Sequence, residues 1–216
     1  MSSTGVWVVG VVPDAEALAL PERLFHLVRP GDRTKPPGFA EALAWWSNGG
    51  DREPFFEPPV DPSKPVSLTP AARRLADLVE DANPPTEAVE AMRDAGTALM
   101  PDAEGPGLYL ATARKANPVA ALHYGLGAQR SAMLPGWFGD FLLSASEVRN
   151  ALPRAEEALL FSPSERSAAL TRITAWMTGM GDDTDFGAAA LVDAPLRVLR
   201  HAAATGSGAA AFSRWY

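Results

Sequence analysis

The chain has 216 residues, of which 47% are hydrophobic and 21% charged, with a formal net charge of −7 and no cysteine. This length and apolar content favour one packed domain, because two halves would each hold only a marginal core. The lack of cysteine excludes disulfides, thiolate nucleophiles, Cys-ligated zinc and iron–sulfur clusters. The acidic balance argues against nucleic acid as a partner.

The first residues, Met1 to Gly5, lack the basic region of a secretory signal peptide. Apolar runs also stay well short of the roughly 20 residues that a transmembrane helix needs. We therefore expect a cytoplasmic protein that has no membrane partner.

The segment Gly5–Val12 is continuously apolar and rich in valine, which predicts a strand at the centre of a sheet. A helix is expected from Asp14 to about Val28, with a break at Pro21.

Residues 30–70 hold many prolines and predict a long irregular excursion. Within it, Phe39–Trp46 is expected to form a short helix. The excursion is expected to be packed down rather than loose, because it carries large aromatic side chains that favour burial. These are Trp45, Trp46, Phe55 and Phe56.

Helix-start signals predict most of the elements that follow the excursion. Thr69-Pro70 and Thr86 predict two consecutive helices, to about Asp81 and Leu99, that form a helical hairpin. The other expected elements are a strand at Leu108–Ala111, a helix from Asn117 to about Tyr124, a strand within Trp137–Leu143, helices at 145–159 and from Ser162 to about Thr178, a loop at Gly179–Asp185, a helix from about Ala194 to Ala204, and a strand at Ala209–Tyr216.

This order lacks the regular alternation of a doubly wound sheet and predicts an α+β fold. We expect a single domain over 1–216 with a small mixed or antiparallel sheet that includes the N- and C-terminal strands and is packed by several helices. The inserted excursion and helical hairpin occupy about 30–104.

Three parts of the chain carry a family resemblance. They are Lys115-Ala116 with Ala121–Tyr124 and Leu126-Gly127, then Phe141–Val148, then Leu196–Leu199 with Gly206–Gly208. Together they resemble the YfbM-like family of uncharacterised bacterial proteins, over about 1–20 and 105–216. The resemblance implies a similar fold and brings no established activity with it.

His123 is the most suggestive single residue. Its imidazole lies beside Tyr124 and downstream of Lys115, so the three could serve as acid, base or anion-binding groups, with Tyr109 or Asp140 as further members. The alternative is a structural helix histidine that bonds to the backbone.

The cations Arg114, Lys115 and Arg130 lie in a stretch without any acidic residue, between Glu104 and Asp140. They predict an electropositive patch for a small anionic ligand or an acidic protein partner. The alternative is that each cation pairs with a carboxylate from elsewhere in the fold.

Two further groups of residues suggest sites. Asp182, Asp183 and Asp185 are of the ligand type that Mg²⁺ or Ca²⁺ prefers, although aspartates are equally common in turns. The pairs Trp45-Trp46 and Trp137-Phe138 could line a ligand groove, or could be core beneath the excursion.

Two functions remain open at this point. The first is a non-catalytic interaction or accessory protein, such as an immunity-type or regulatory binder, with no cofactor. The second is an enzyme or small-molecule-binding protein with a site around His123, Tyr124 and Lys115 that acts on an anionic ligand. In the second case Arg114, Arg130 and Trp137 would help to bind the ligand.

Overall fold

The computed structural model describes residues 4–57, 66–103, 105–182 and 186–216. Its strands are β1 Gly5–Val12, β2 Phe56–Glu57, β3 Ser67–Leu68, β4 Leu108–Ala113, β5 Phe141–Leu143 and β6 Gly208–Trp215. Its helices are α1 Asp14–Leu24, α2 Phe39–Ser47, α3 Pro70–Ala82, α4 Glu87–Thr97, α5 Pro118–Ser131, α6 Ala145–Leu159, α7 Pro163–Gly179 and α8 Ala188–Thr205. The expected α+β class is confirmed.

The main sheet is antiparallel and has the strand order β4-β1-β6-β5. β1 pairs with β6 along its whole length, from Gly5 opposite Trp215 to Val12 opposite Gly208, and with β4 on its other side. Both edges of the most apolar strand are thus satisfied by neighbours. The predictions that Gly5–Val12 is central and that the first and last strands share one sheet are confirmed.

Buried side chains occupy both faces of this sheet, because alternate residues of a strand point to opposite sides. Trp7 and Val9 face the larger core, which is built with α5, α6, α7 and α8. Val12 and Phe212 face a smaller cluster beneath α1 and α4. Within the described ranges, none of the helices has both the length and the apolar character to cross a membrane.

The excursion agrees with its prediction wherever it is described, and residues 58–65 lie outside the described residues. α2 forms as expected, Trp46 and Phe55 are buried, and Trp45 and Phe56 are half-buried. α1 continues through Pro21, so the expected break there is wrong. After it, α3 packs on α2 and α5, whereas α4 packs on α1 and the sheet, rather than chiefly on each other as a hairpin.

Several later boundaries differ from the sequence prediction. α5 reaches Ser131 rather than about Tyr124, but it is kinked at Gly127, whose φ of 74° and ψ of 169° are not helical. Its regular first part therefore ends close to the predicted residue, and Gly125 within that part lies in close contact with Ile173 of α7. α8 begins at Ala188, ahead of Pro195. The capped helices α6 and α7 match their predicted ranges, and both have the expected capping box.

The segment before β5 is a turn rather than the first half of a strand. Trp137 N–H donates to the Asp140 carbonyl at 2.9 Å, and Asp140 N–H donates back to the Trp137 carbonyl at 3.2 Å. Gly136 and Gly139 have φ values of 78° and 88°, which end regular extension. The expected strand is therefore confirmed only at its C-terminal end, and residues 136–140 form what is here named the 136–140 turn.

Candidate functional site

Helix α5 places the neighbouring candidates His123 and Tyr124 on different faces. The helix begins where the Asn117 side-chain oxygen accepts the N–H of Val119 at 2.8 Å. Consecutive side chains on a helix point about 100° apart. His123 therefore faces α2 and the 136–140 turn, while Tyr124 faces α7 and the excursion.

A cavity of about 250 Å³ lies between α2, α5 and the 136–140 turn, and is here named the His123 cavity. Its walls are aromatic or aliphatic apart from His123 and two serines. Trp46 is buried in the wall, and Trp137, at 41% exposure, forms the rim. The lining residues are Leu43, Trp46, Ser47, His123, Ala128, Ser131, Ala132, Leu134, Gly136, Trp137 and Phe138.

The hydrogen bond of His123 defines its tautomer. Nδ1 lies 2.9 Å from the Val119 carbonyl, and since a carbonyl only accepts, Nδ1 carries the proton and Nε2 keeps its lone pair. Burial lowers the pKa of His123 to about 4, so the ring is neutral at pH 7. Nε2 has no hydrogen-bond partner among the described residues. The cavity therefore contains a neutral acceptor.

The 136–140 turn supplies the aromatic wall opposite α2. Phe138 stacks on the His123 ring with centroids 5.0 Å apart and planes at 19°. Its φ is 45°, and no other non-glycine residue in the described ranges has a positive φ. Such a conformation is strained for a bulky side chain and persists only where its surroundings fix it.

Contacts at three residues fix the turn. Asn83 Nδ2 donates to the Trp137 carbonyl at 2.8 Å, and the Trp7 indole N–H donates to the Gly139 carbonyl at 2.9 Å. The third is Asp140, the last residue of the turn, whose carboxylate accepts from Arg93 and from the backbone of Ser213.

Asp140 lies on the far side of the turn from His123. Its Oδ1 accepts the Ser213 N–H at 2.7 Å, and its Oδ2 accepts Nη2 of Arg93 at 3.0 Å. Arg93 is itself buried and also donates to Glu90 at 2.6 Å. Burial raises the pKa of Asp140 to about 6, against the opposing influence of the Arg93 charge and the Ser213 N–H.

A second cavity, of about 320 Å³, lies beside Asp140 and shares Phe138 with the first. Two of the arginines in its lining have carboxylate partners. Arg93 pairs with Asp140 and Glu90, and Arg214 pairs with Asp94 at 2.7 Å. Arg214 Nε and Trp215 Nε1 lack hydrogen-bond partners but are fully buried, so a ligand in this cavity does not reach them. Although this cavity is larger, the His123 cavity is the better candidate site because its free acceptor is open to the cavity.

The other face of α5 is densely packed. Tyr124 lies 4.4 Å from Phe55 and 5.6 Å from Trp176 between ring centroids, and Phe56 meets it edge-on. The Arg172 guanidinium lies over the Tyr124 ring at 4.5 Å. These five side chains are here named the Tyr124 cluster, which places Tyr124 away from His123.

The predicted cations are also separated. Arg114 and Lys115 precede α5 and have exposed side chains, whereas Arg130 lies at the other end of the helix. Arg130 pairs with Glu165 at 3.0 Å and donates to the Glu157 carbonyl at 2.8 Å, near the end of α6. Arg114, Lys115 and Arg130 do not form one patch, and among the predicted ligand-binding residues Trp137 alone lines the His123 cavity.

The Asp182 side chain binds backbone N–H groups. Its carboxylate accepts the N–H groups of Arg114, Lys115 and Ala116 at 2.7, 2.9 and 2.6 Å, which holds the chain just ahead of α5. Asp183 and Asp185 lie outside the described residues. In the described part of the chain, no group of three histidine or acidic side chains is placed to bind a metal ion.

The sequence predicted residues that line the His123 cavity but not those that hold its wall in place. It identified His123 and paired Trp137 with Phe138, but it did not identify Asn83, Arg93 or the turn itself. One available signal was Arg93, which follows Val89 by four residues and therefore shares the apolar stripe of α4. A buried arginine requires a carboxylate partner.

No family model, curated protein or solved structure matches the chain. The resemblance to the YfbM-like family thus stays a prediction that rests on the residues that carry it.

Proposed function

We propose that the chain is a non-catalytic binding protein that takes a small neutral molecule into the His123 cavity. The observation that carries this proposal is the free Nε2 acceptor of a neutral, buried imidazole among aromatic and aliphatic walls. Nε2 is not among the fully buried polar atoms that lack a partner in the described residues, so it is open to the cavity. A ligand that supplies an N–H or O–H group there forms one hydrogen bond, with a net contribution of about 0.5–1.5 kcal/mol.

The lining of the cavity also favours a particular shape and polarity of ligand. Trp46, Trp137 and Phe138 offer flat apolar surfaces, on which an aromatic ring packs best. The Ser131 hydroxyl donates to the Ala128 carbonyl at 3.1 Å, so its oxygen is left as a second acceptor. A flat apolar molecule with one donor fits these walls.

This ligand class replaces the anion expected from the sequence. That expectation depended on Arg114, Lys115 and Arg130, and none of the three lines the cavity. The enzymatic alternative requires His123, Tyr124 and Lys115 to reach one substrate, whereas they lie in three different places. A pKa of about 4 also makes His123 a weak general base at neutral pH.

Indole and 1-methylindole provide the test, because they differ only in the N–H donor and one methyl group. Calorimetric titration of the wild-type protein at pH 7 should show tighter binding of indole, by roughly two- to tenfold for one hydrogen bond. In His123→Phe, which keeps the stack on Phe138 but lacks Nε2, the two affinities should converge.

Tyr124→Phe is the matched control, since it removes a polar group from the next residue of the same helix but outside the cavity. It should keep the wild-type preference for indole. The proposal is wrong if indole fails to bind the wild-type protein, or if His123→Phe retains the same preference.

A further inference from the structure

β5 and β6 are paired over three residues only. Phe141 lies opposite Ala211 and Leu143 opposite Ala209. Continuing this register would place Gly139 opposite Ser213, where a backbone carbonyl would accept the Ser213 N–H. The chain has already turned away, and the Gly139 carbonyl bonds to Trp7 instead.

Asp140 takes the place of the missing carbonyl. Its Oδ1 accepts the Ser213 N–H at 2.7 Å, so the carboxylate acts as the last acceptor of the β5–β6 ladder. Its other oxygen is held by Arg93 of α4. One side chain thus ties the 136–140 turn to a strand and to a helix at the same time.

We propose that Asp140 is the positioning residue of the His123 cavity, because its ties to Ser213 and Arg93 hold the turn that presents Trp137 and Phe138 to the ligand. This inference rests on the proposed function, in which those two rings contact the ligand. Asp140 acts through the turn, and it does not touch the cavity.

Asp140→Asn tests the inference with little change of size. The amide can accept from Ser213 or from Arg93, but its NH₂ group cannot accept from either. The Trp7 indole N–H reports the result directly, since it donates to Gly139 within the turn. In a ¹H–¹⁵N spectrum of the ligand-free variant its peak should shift. Affinity for indole should fall by up to roughly fivefold, the full effect if binding has to restore the free energy of the one lost hydrogen bond.

Asp193→Asn is the matched control, because Asp193 also forms an arginine pair, with Arg166 at 2.6 Å, but between α7 and α8. It should leave both the Trp7 peak and the indole affinity unchanged. Asn83→Ser removes only the side-chain bond to the Trp137 carbonyl and is a milder second variant. It should shift the same Trp7 peak, and it replaces Asp140→Asn in the test if that variant does not fold.

The two proposals fail in different ways. If the wild-type protein does not bind indole, the proposed function is wrong, while a shifted Trp7 peak in Asp140→Asn still supports Asp140 as the residue that positions the turn. If the wild-type protein binds indole but Asp140→Asn leaves the peak or the affinity unchanged, the positioning role is overturned. An unmoved Trp7 peak in Asn83→Ser as well would exclude any dependence of the turn on these contacts.

Discussion

The two faces of α5 are built from the same classes of side chain and differ in how they are closed. On one face Tyr124 packs against Phe55 and Trp176 with ring centroids within 6 Å of it. On the other face His123 stacks on Phe138 and also borders a cavity of about 250 Å³. The difference lies in the opposing element, because the 136–140 turn is held by Asn83, Trp7 and Arg93 and cannot collapse onto the helix. Aromatic side chains therefore form a closed core or line a cavity according to what holds the facing backbone.

The largest expected effect is a difference in stability between variants on the two faces of α5. Trp176 is fully buried in the Tyr124 cluster, so Trp176→Ala should lower the free energy of unfolding by about 3–5 kcal/mol. Trp137→Ala, at the rim of the His123 cavity, should lower the free energy of unfolding by about 1 kcal/mol or less. Urea unfolding of both variants measures the difference. Equal losses would mean that the rim is as tightly packed as the core.

The pH dependence of stability should separate His123 from Asp140. The folded-state pKa of Asp140, about 6, is above its usual 3.8, so its contribution to stability falls as pH rises from about 4 to 6. The folded-state pKa of His123, about 4, is below its usual 6.5, so its contribution rises over about pH 4 to 6.5. The two contributions oppose each other in the wild-type protein.

Single variants should reveal each contribution. Unfolding free energy should rise more steeply with pH in Asp140→Asn than in the wild-type protein, by up to about 1.4 kcal/mol per pH unit. It should rise less steeply in His123→Phe over the same range. Urea titrations between pH 4 and 7 measure these slopes, and three parallel curves would contradict the assigned burial of both groups.

A glycine pair tests how firmly the turn is held. A Cβ at Gly139 would lie 2.7 Å from Val119 of α5, whereas a Cβ at Gly38 would meet nothing within 4 Å, although both residues have φ near 85°. Gly139→Ala should therefore destabilise the protein by about 1–3 kcal/mol more than Gly38→Ala, the overpacking cost beyond the shared backbone strain. Thermal melts of the two variants give the comparison. A similar loss in both would show that the turn can move away from α5.

His123→Phe should have the smallest effect on stability. The Val119 carbonyl that bonds to Nδ1 belongs to the same helix, and the new ring keeps the stack on Phe138. We expect a change within about 1 kcal/mol at pH 7, together with loss of the preference for indole. A large destabilisation would indicate that the histidine is a structural residue rather than a ligand contact.

The sequence predicted the parts of this molecule that local chemistry determines. Ser144 and Glu147 define the start of α6, and Gly206 with a φ of 69° ends α8, as expected from capping. Local patterns could not reveal that Gly125 packs on Ile173, or that the chain turns helical again after the kink at Gly127. They also could not show that Tyr124 and Lys115 point away from His123, because that depends on which elements pack on each face.

The same limit applies to the site. His123 was predicted because its imidazole lies beside Tyr124 and downstream of Lys115 in a stretch without acidic residues. The Trp137-Phe138 pair was predicted because aromatic residues near glycine and proline are common in pockets. The contact between Arg93 and Asp140 joins residues 47 positions apart, so only the folded chain shows it. An electropositive patch was expected because Arg114, Lys115 and Arg130 are near one another in sequence, yet a helix separates them in space.

The central claim, a neutral His123 with a free Nε2 acceptor for a ligand donor, is tested most directly by the ¹⁵N resonances of its ring. The chain has three histidines, so protein labelled with ¹⁵N-histidine gives few signals, and His123→Phe assigns them. At pH 7 we expect a neutral ring with the proton on Nδ1, and an Nε2 resonance that moves when indole is added but not when 1-methylindole is added. An imidazolium at pH 7, or the same Nε2 response to both molecules, would contradict the account.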